Sequence, residues 1–349
     1  MRTCDNCNYH MFVSQQYQRE KPTTDFDFHL WQSLSAMEPS RQSRSDDALL
    51  LLGRLDGRLH GSTCADIFLA RSRLEGAATL AGLAGVPIAV RDLVDWITGR
   101  TPLPRVSEGL NDPISVAAIF HVAISRDEDA KDPVGRATLN MLRAVLDDRT
   151  AAETYASDDL AYFGPLWREV RSAADTPFPA RDLIAVARRV FDLAAMTDSA
   201  QASSSEVVTF DGRSLALPPR SRDRNWLIAT MVPRMLYRAG FTTRVIPSLV
   251  LLPKFLPATP QALADVMIAA VGKKAEAGLR DLDSIEREAG RTLSGMRVTK
   301  RSKAPLLARL QLTYPGIQAA AVAKLLNVTP QGARKLLAAS SGRSGPVLV

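Results

Sequence analysis

Apolar residues recur at three- and four-residue intervals along most of the chain, which is the spacing of one buried face of an α-helix. This spacing predicts helices over residues 88–98, 113–125, 132–148, 156–173 and 179–196. The pattern starts at Asp46, where two stripes predict the first two helices: Leu49, Leu52, Leu55 and Leu59, then Ile67, Leu74, Leu80 and Leu83.

A second pattern follows these helices. Val207–Phe210 and Arg213–Leu217 alternate apolar and polar residues on either side of Asp211–Gly212, which predicts a β-hairpin closed by a two-residue turn. Helical spacing then returns over residues 222–239 and 259–289. The predicted fold class is therefore mainly α, a multi-helical body with one small β-hairpin.

Charge is distributed unevenly along the chain. The net charge is +7, yet residues 291–349 contain ten basic residues and no Asp or Glu. That segment carries +10, so residues 1–290 together carry −3. Such asymmetry favours a basic terminal module with a polyanionic partner, most simply nucleic acid. A run of charge alone is more often a solvated surface, so the local sequence has to decide between the two.

Residues 319–338 favour the nucleic-acid-binding module, because their pattern predicts two short helices joined by a tight turn. Asn327 occupies the turn, where a left-handed backbone is needed, and Thr329 and Pro330 are suited to begin the second helix. The pattern resembles the helix-turn-helix of bacterial DNA-binding proteins. Its inward positions are Val322, Ala323 and Leu326 on the first helix, Val328 in the turn, and Ala333, Leu336 and Leu337 on the second.

The outward positions of the second helix carry the chemistry of a major-groove reader. Thr329 lies at the tip of that helix, Gln331 can bond adenine in bidentate fashion, and Arg334 can do the same with guanine. These three are the predicted base-reading residues. Gly332 departs from the pattern, since it weakens a helix by about 1 kcal/mol relative to Ala. The predicted phosphate contacts are Lys335, Arg297, Lys300, Arg301 and Lys303.

Three segments of the body carry a second resemblance: Leu55–Leu59, Phe68–Gly76 and Val86–Trp96. Together with the terminal motif they resemble a family of uncharacterised, often plasmid-borne proteins of rhizobia and other alphaproteobacteria. The resemblance covers residues 46–339. It implies a helical body of unknown activity and a C-terminal helix-turn-helix DNA-binding domain, and it implies no catalytic residues.

The sequence divides into five parts. We expect a loose N-terminal segment over residues 1–45 and a helical domain over 46–197. Residues 198–258 are expected to hold a linker, the β-hairpin and a helix, residues 259–296 a long helix, and residues 297–349 the basic helix-turn-helix domain. Met11 and Met37 are alternative start positions, so the sequence leaves open whether residues 1–36 belong to the native protein.

Several classes of protein are not favoured. No stretch approaches the roughly 18 to 20 apolar residues of a membrane-spanning helix. Three cysteines are too few for a disulfide framework, so we expect a reducing cytoplasm. The motifs G-x-x-x-x-G-K-[ST], G-x-G-x-x-G and H-E-x-x-H do not occur, so we predict neither an enzyme nor a cofactor.

Metal sites are considered and not predicted. Cys4, Cys7 and His10 have the spacing of half a zinc knuckle, but the second half is missing. Asp127–Asp129 and Asp158–Asp159 could hold a divalent ion only if they converged, and acidic clusters at helix starts are more often solvated.

The leading hypothesis is sequence-specific binding of double-stranded DNA by a transcriptional regulator. One helix-turn-helix contacts about half of a typical site, so we expect a homodimer, with the long helix over 260–289 as a candidate dimer element. The alternative is an accessory protein of plasmid maintenance or transfer, in which the helical body binds a protein partner and the terminal module docks on DNA. A nucleic-acid-acting enzyme is the third possibility.

Overall fold

A computed structural model describes residues 41–102, 113–125, 132–149, 164–199, 205–208, 214–217, 225–293 and 302–341. These residues form a mainly α-helical protein. The helices of the first half are α1 (Arg41–Gly61), α2 (Ala65–Leu83), α3 (Val90–Ile97), α4 (Pro113–Ser125), α5 (Pro133–Arg149), α6 (Gly164–Ala174) and α7 (Leu183–Ser199).

The second half begins with two short strands. β1 (Ser205–Val208) and β2 (Ser214–Leu217) pair antiparallel, with Ser205 opposite Leu217 and Val208 opposite Ser214. The helices that follow are α8 (Asn225–Arg238), α9 (Pro260–Leu293), α10 (Ala304–Thr313), α11 (Ala319–Leu326) and α12 (Pro330–Ser341).

Helix α2 is the centre of the body. Its buried residues lie on all sides of the helix, as expected when a helix is surrounded by others. It packs against α3, α4, α5, α8, α9 and α10. At Gly76 the chain between α8 and α9 passes so close that a Cβ atom would collide with the carbonyl oxygen of Pro247. This close packing explains why a glycine is present in the middle of a central helix.

Two helices of the body begin with a side-chain cap. Asp132 accepts a hydrogen bond from the Val134 amide at 2.9 Å, and Thr259 accepts one from the Ala262 amide at 3.2 Å. These contacts satisfy amides that have no carbonyl partner within the first turn. Helix α1 begins at Arg41, five residues before the predicted start at Asp46.

Helix α9 buries its apolar stripe within its own chain. Leu263, Met267, Val271, Leu282 and Ile285 are all completely buried. The helix packs against α2, α7 and α10, so its apolar stripe is covered within the chain, and only its other faces are left for the role of the predicted dimer element. No helix in the described part of the chain is both long enough and apolar enough to cross a membrane.

The described residues from Ser43 onward form one compact unit. The sequence suggests a division near residue 296, but residues on both sides of it share a core. Leu307 and Leu310 of α10 and Val322 of α11 are fully buried. Helix α10 packs on α2, α5 and α9, and α11 packs on α5. The apolar faces of these short helices are covered by the body as well as by each other.

Candidate nucleic-acid interface

Helices α11 and α12, with the connection Asn327–Thr329 between them, form a unit that we call the C-terminal helix pair. Asn327 is left-handed, with φ 49° and ψ 60°, as the sequence predicts. The Val328 amide donates to the Ala323 carbonyl at 3.0 Å, and the Asn327 amide donates to the Lys324 carbonyl at 3.3 Å. This arrangement ends α11 sharply, because the two bonds satisfy carbonyls of its last turn.

The second helix starts as its sequence predicts. Helix α12 begins at Pro330, and the Thr329 hydroxyl oxygen accepts a hydrogen bond from the Gly332 amide at 3.1 Å. A Cβ atom at Gly332 would lie 3.2 Å from that same oxygen. The glycine therefore gives room to the cap, which offsets part of its poor helix propensity.

The inward side of the C-terminal helix pair is apolar. Val322 and Ala333 are fully buried, and Leu326 is nearly so. Partly buried residues that pack against the core complete this side: Ala323, Val328, Leu336 and Leu337. The predicted inward positions are all at least partly buried, and the structure also buries Ala321 and Leu325 of α11, which the spacing did not single out.

The opposite side of α12 is exposed, and we call it the outward face: Gln331, Arg334, Lys335 and Ala338. Among the described residues, the side chains of Gln331, Arg334 and Lys335 contact no hydrogen-bond or ion-pair partner. Lys324, near the end of α11, is a further exposed cation that is not among the predicted phosphate contacts. These groups are free to bind a ligand from solution.

Charged contacts fix α10 to the body. An Arg309 terminal nitrogen donates to an Asp66 carboxylate oxygen at 2.6 Å and to the Thr63 carbonyl at 3.0 Å. Arg71 donates to Asp281 at 2.8 Å and to the Leu312 carbonyl at 2.5 Å. Burial raises the pKa of Asp66, and the Arg309 guanidinium opposes that rise. Arg309 is therefore a basic residue of the terminal segment whose charge is already balanced within the protein.

The start of α11 is also fixed by the body. The Gln318 amide donates to the Thr98 carbonyl at 2.9 Å, immediately before the first residue of α11. Arg100 donates to the Pro315 carbonyl and forms an ion pair with Asp95, both at 2.9 Å. The segment that follows α3 therefore determines where α11 begins.

Tyr314 connects the end of α10 to α5. Its side chain is completely buried, and its hydroxyl lies 2.6 Å from the Thr138 hydroxyl. Thr138 in turn donates to the Val134 carbonyl at 3.0 Å, so the proton between the two hydroxyls comes from Tyr314. Burial raises the pKa of Tyr314, which keeps this donor protonated.

The predicted phosphate contacts have different positions. Lys335 is exposed on the outward face, whereas Arg297, Lys300 and Arg301 lie outside the described residues. Lys303 directs its ammonium to the turn of the C-terminal helix pair, 2.5 Å from the Leu326 carbonyl oxygen. No motif in the sequence signals this contact, because it joins residues that are 23 positions apart.

A polar group is buried where α2, α4 and α5 meet. Arg73 forms an ion pair with Asp132 at 3.0 Å. His121 is buried, and its Nδ1 lies 3.3 Å from the Ser125 hydroxyl, while its Nε2 has no hydrogen-bond partner in the described part of the chain. Burial, assisted by the charge of Arg73, lowers the pKa of His121 to about 3. His121 is therefore a core histidine.

Among the described residues, no cluster of three His, Cys, Asp or Glu side chains could hold a metal ion. Cys4, Cys7, His10, Asp127–Asp129 and Asp158–Asp159 all lie outside those residues.

Comparisons of the chain with protein-family models, with curated proteins and with solved structures give no match. The candidate interface therefore has to be interpreted from its own geometry and chemistry.

Proposed function

We propose that this protein binds double-stranded DNA sequence-specifically through a C-terminal helix-turn-helix formed by α11 and α12, and that it acts as a transcriptional regulator. One observation carries the proposal. Gln331, Arg334 and Lys335 are exposed, without partners among the described residues, on a helix whose other side is buried. A helix held in this way presents its polar face to solvent in a fixed direction, although the side chains on that face remain free to turn toward a ligand.

The chemistry of the outward face suits base recognition. Gln331 and Arg334 are three residues apart, so their side chains are neighbours on one face of the helix. Gln pairs with adenine and Arg with guanine through two hydrogen bonds each, and such a pair discriminates against a wrong base by about 1 to 3 kcal/mol. Lys335 and Lys324 supply cations for the phosphates on either side. The major groove is about 12 Å wide and admits one α-helix.

The charge balance favours a polyanion as partner. Residues 291–349 lack acidic side chains, and Arg309 obtains its carboxylate from the body. The outward face therefore has no negative charge of its own to repel phosphate. Electrostatic attraction of this kind supplies affinity for DNA of any sequence, while the contacts to bases supply specificity.

A homodimer remains part of the proposal, since one recognition helix reads about half of a typical site. Two copies would place their α12 helices one DNA turn apart, which is about 34 to 36 Å. The dimer surface must be other than the apolar stripe of α9, because that stripe is buried within the chain.

A second candidate function is an accessory role in plasmid maintenance or transfer, with the body binding a protein partner. Phe255 favours it, since this aromatic side chain is 70% exposed in the connection between α8 and α9. Aromatic residues are enriched at protein interfaces. A regulator is expected to bind DNA upstream of its own gene without help, whereas an accessory protein is expected to bind one plasmid locus together with its partner.

Selection from a library of random DNA duplexes tests the proposal. The full-length protein is expected to enrich one short, twofold-symmetric motif. Arg334→Ala is expected to relax the base preference at one position in each half-site. Arg188→Ala is the matched control, because Arg188 is an exposed arginine on α7 of the body. Recovery of no motif, or of the same motif with Arg334→Ala, would contradict the proposal.

A further inference from the structure

Lys303 precedes α10 by one residue, yet its side chain contacts the turn between α11 and α12. Its Nζ atom lies 2.5 Å from the carbonyl oxygen of Leu326 and 3.4 Å from that of Asn327. Leu326 is the last residue of α11, and Asn327 is the left-handed residue that ends it. The ammonium group is therefore placed at the C-terminal end of a helix.

This placement is favourable for two physical reasons. The last four carbonyls of an α-helix have no amide partner within that helix, so an external donor satisfies them. The C-terminal end of a helix also carries partial negative charge, which a cation stabilises. In addition, the contact joins the start of α10 to the turn, and so holds all three terminal helices together at one point.

We propose that Lys303 is a positioning residue of the DNA-binding unit. Its ammonium fixes the left-handed turn, and the turn fixes the orientation in which α12 presents Gln331 and Arg334. This inference rests on the proposed function. It also replaces the expectation from sequence, in which Lys303 contacts a DNA phosphate.

The two roles differ in how DNA binding depends on salt. A cation that neutralises a phosphate releases a counterion when DNA binds. Its removal therefore makes the negative slope of log affinity against log salt concentration shallower by about 1. Such a loss weakens specific and random DNA alike. A positioning residue leaves the slope unchanged, and its removal weakens the specific complex more, because only that complex needs α12 in one orientation.

Two variants separate the roles. Lys303→Met keeps the length of the side chain but loses both donor and charge, whereas Lys303→Gln keeps a donor without the charge. We expect Lys303→Met to lower affinity for the selected DNA about tenfold, as for loss of a hydrogen bond to a charged group. Lys303→Gln is expected to recover part of that loss. Lys335→Met is the matched control that removes an exposed cation, and it is expected to reduce the slope.

The binding measurements are made on the full chain by fluorescence anisotropy, with the selected duplex and with a scrambled duplex, over a series of salt concentrations. If Lys303→Met lowers the slope by about 1 and weakens both duplexes equally, the positioning role is wrong. Equal losses with Lys303→Met and Lys303→Gln, together with a shallower salt slope in both variants, would also contradict it, because a phosphate contact needs the charge that both variants lack.

Hydrogen exchange of the free protein tests the same contact without DNA. We expect the amides of Asn327 and Val328, which are hydrogen-bonded to α11, to exchange at least several-fold faster in Lys303→Met. Unchanged exchange in the segment 324–332 would overturn the inference even if the wild-type protein binds DNA. If the wild-type protein binds no specific DNA, the proposed function fails, and hydrogen exchange still decides whether Lys303 holds the turn. Should Lys303→Met fail to fold, Lys303→Gln is compared with the wild type, and unchanged exchange and affinity would again contradict the inference.

Discussion

Arg309 and Arg334 belong to the same acid-free segment of the chain, but they lie on opposite sides of the terminal helices. Arg309 faces the body, where Asp66 and the Thr63 carbonyl accept its hydrogen bonds. Arg334 lies on the outward face and has no partner among the described residues. The comparison teaches that a count of basic residues does not measure a binding surface, because the body neutralises part of that charge.

The inward side of the terminal helices is built for stability. Tyr314 is completely buried, Arg71 links α10 to α9, and the Gln318 amide bonds to the segment after α3. The outward face makes no comparable contacts within the described residues. Changes on the inward side should therefore alter folding, and changes on the outward face should alter binding.

The largest expected effect is on the inward side. Tyr314→Ala removes a fully buried aromatic ring, so we expect it to lower the free energy of unfolding by about 3 to 5 kcal/mol. Tyr314→Phe removes one hydrogen bond and is expected to cost about 1 kcal/mol. Urea unfolding followed by circular dichroism measures both. Tyr237→Ala, at a partly exposed tyrosine of α8, is the control, and an equal loss there would contradict the account.

The two arginines provide a crossed test. Arg309→Ala leaves the Asp66 carboxylate without its cation in a partly buried site, and we expect a loss of about 1 to 3 kcal/mol in the free energy of unfolding. Arg334→Ala is expected to leave that free energy within about 0.5 kcal/mol, because an exposed side chain without partners is removed.

Arg334 is expected to matter for DNA affinity, although it contributes little to the free energy of unfolding. The Arg334→Ala variant is expected to lose about 1 to 3 kcal/mol of affinity for the selected duplex and little affinity for random DNA. Anisotropy titrations with both duplexes measure this difference. If Arg334→Ala destabilises the fold as much as Arg309→Ala does, the division between the two sides is incorrect.

Acid is expected to weaken the buried side through His121. An unfolded histidine takes up a proton near pH 6.5, whereas burial holds the pKa of His121 at about 3. Between these values the unfolded state binds more protons, so stability falls as the pH falls. We expect His121 to account for a loss of about 2 kcal/mol between about pH 7.5 and pH 5.

His121→Leu tests this expectation, since leucine does not titrate. The variant should lose less stability than the wild type when urea unfolding is repeated at both pH values. The Ser125 hydroxyl keeps a partner in the variant, because it also donates to the carbonyl of residue 121 at 2.6 Å. Identical pH dependence in the two proteins would exclude His121 as the cause.

The smallest effect is expected for Lys335 on the outward face. Lys335→Ala removes one phosphate contact, so affinity should fall by a similar factor for every DNA sequence, and the salt slope should decrease by about 1. Lys273→Ala on α9 is the matched control, because that lysine is also exposed. A change in base preference with Lys335→Ala would show instead that Lys335 reads bases.

Local features of the fold follow from the sequence. The spacing of apolar residues predicts most helix ends to within about five residues, because each buried stripe has to face a core. Of the helix predicted over 156–173, only the part from Gly164 onward lies in the described residues. Asn327 is predicted in the left-handed conformation, and Thr329 is predicted to begin α12, since these conformations depend on neighbouring residues alone. The outward face follows from the same local spacing.

Long-range contacts do not follow from the sequence in this way. Arg309 and Asp66 are 243 positions apart, and no periodicity indicates that they meet. The apolar stripe of α9 suggests an interface, but the pattern cannot tell whether another copy or the same chain covers it. Lys303 is a basic residue in a basic segment, which suggests a phosphate contact. Only the tertiary structure shows that its side chain contacts the turn between α11 and α12. The partner of a side chain is thus the feature that the sequence leaves undetermined.

Photo-crosslinking from the outward face tests the central claim most directly. A photoreactive phenylalanine analogue replaces Ala338 on α12 or, as control, the exposed Ala277 on α9, in the full-length protein. Each protein is irradiated with the selected duplex. The account predicts a protein–DNA product from position 338 and none from position 277. Equal products from both positions, or none from position 338, would contradict DNA binding by the outward face.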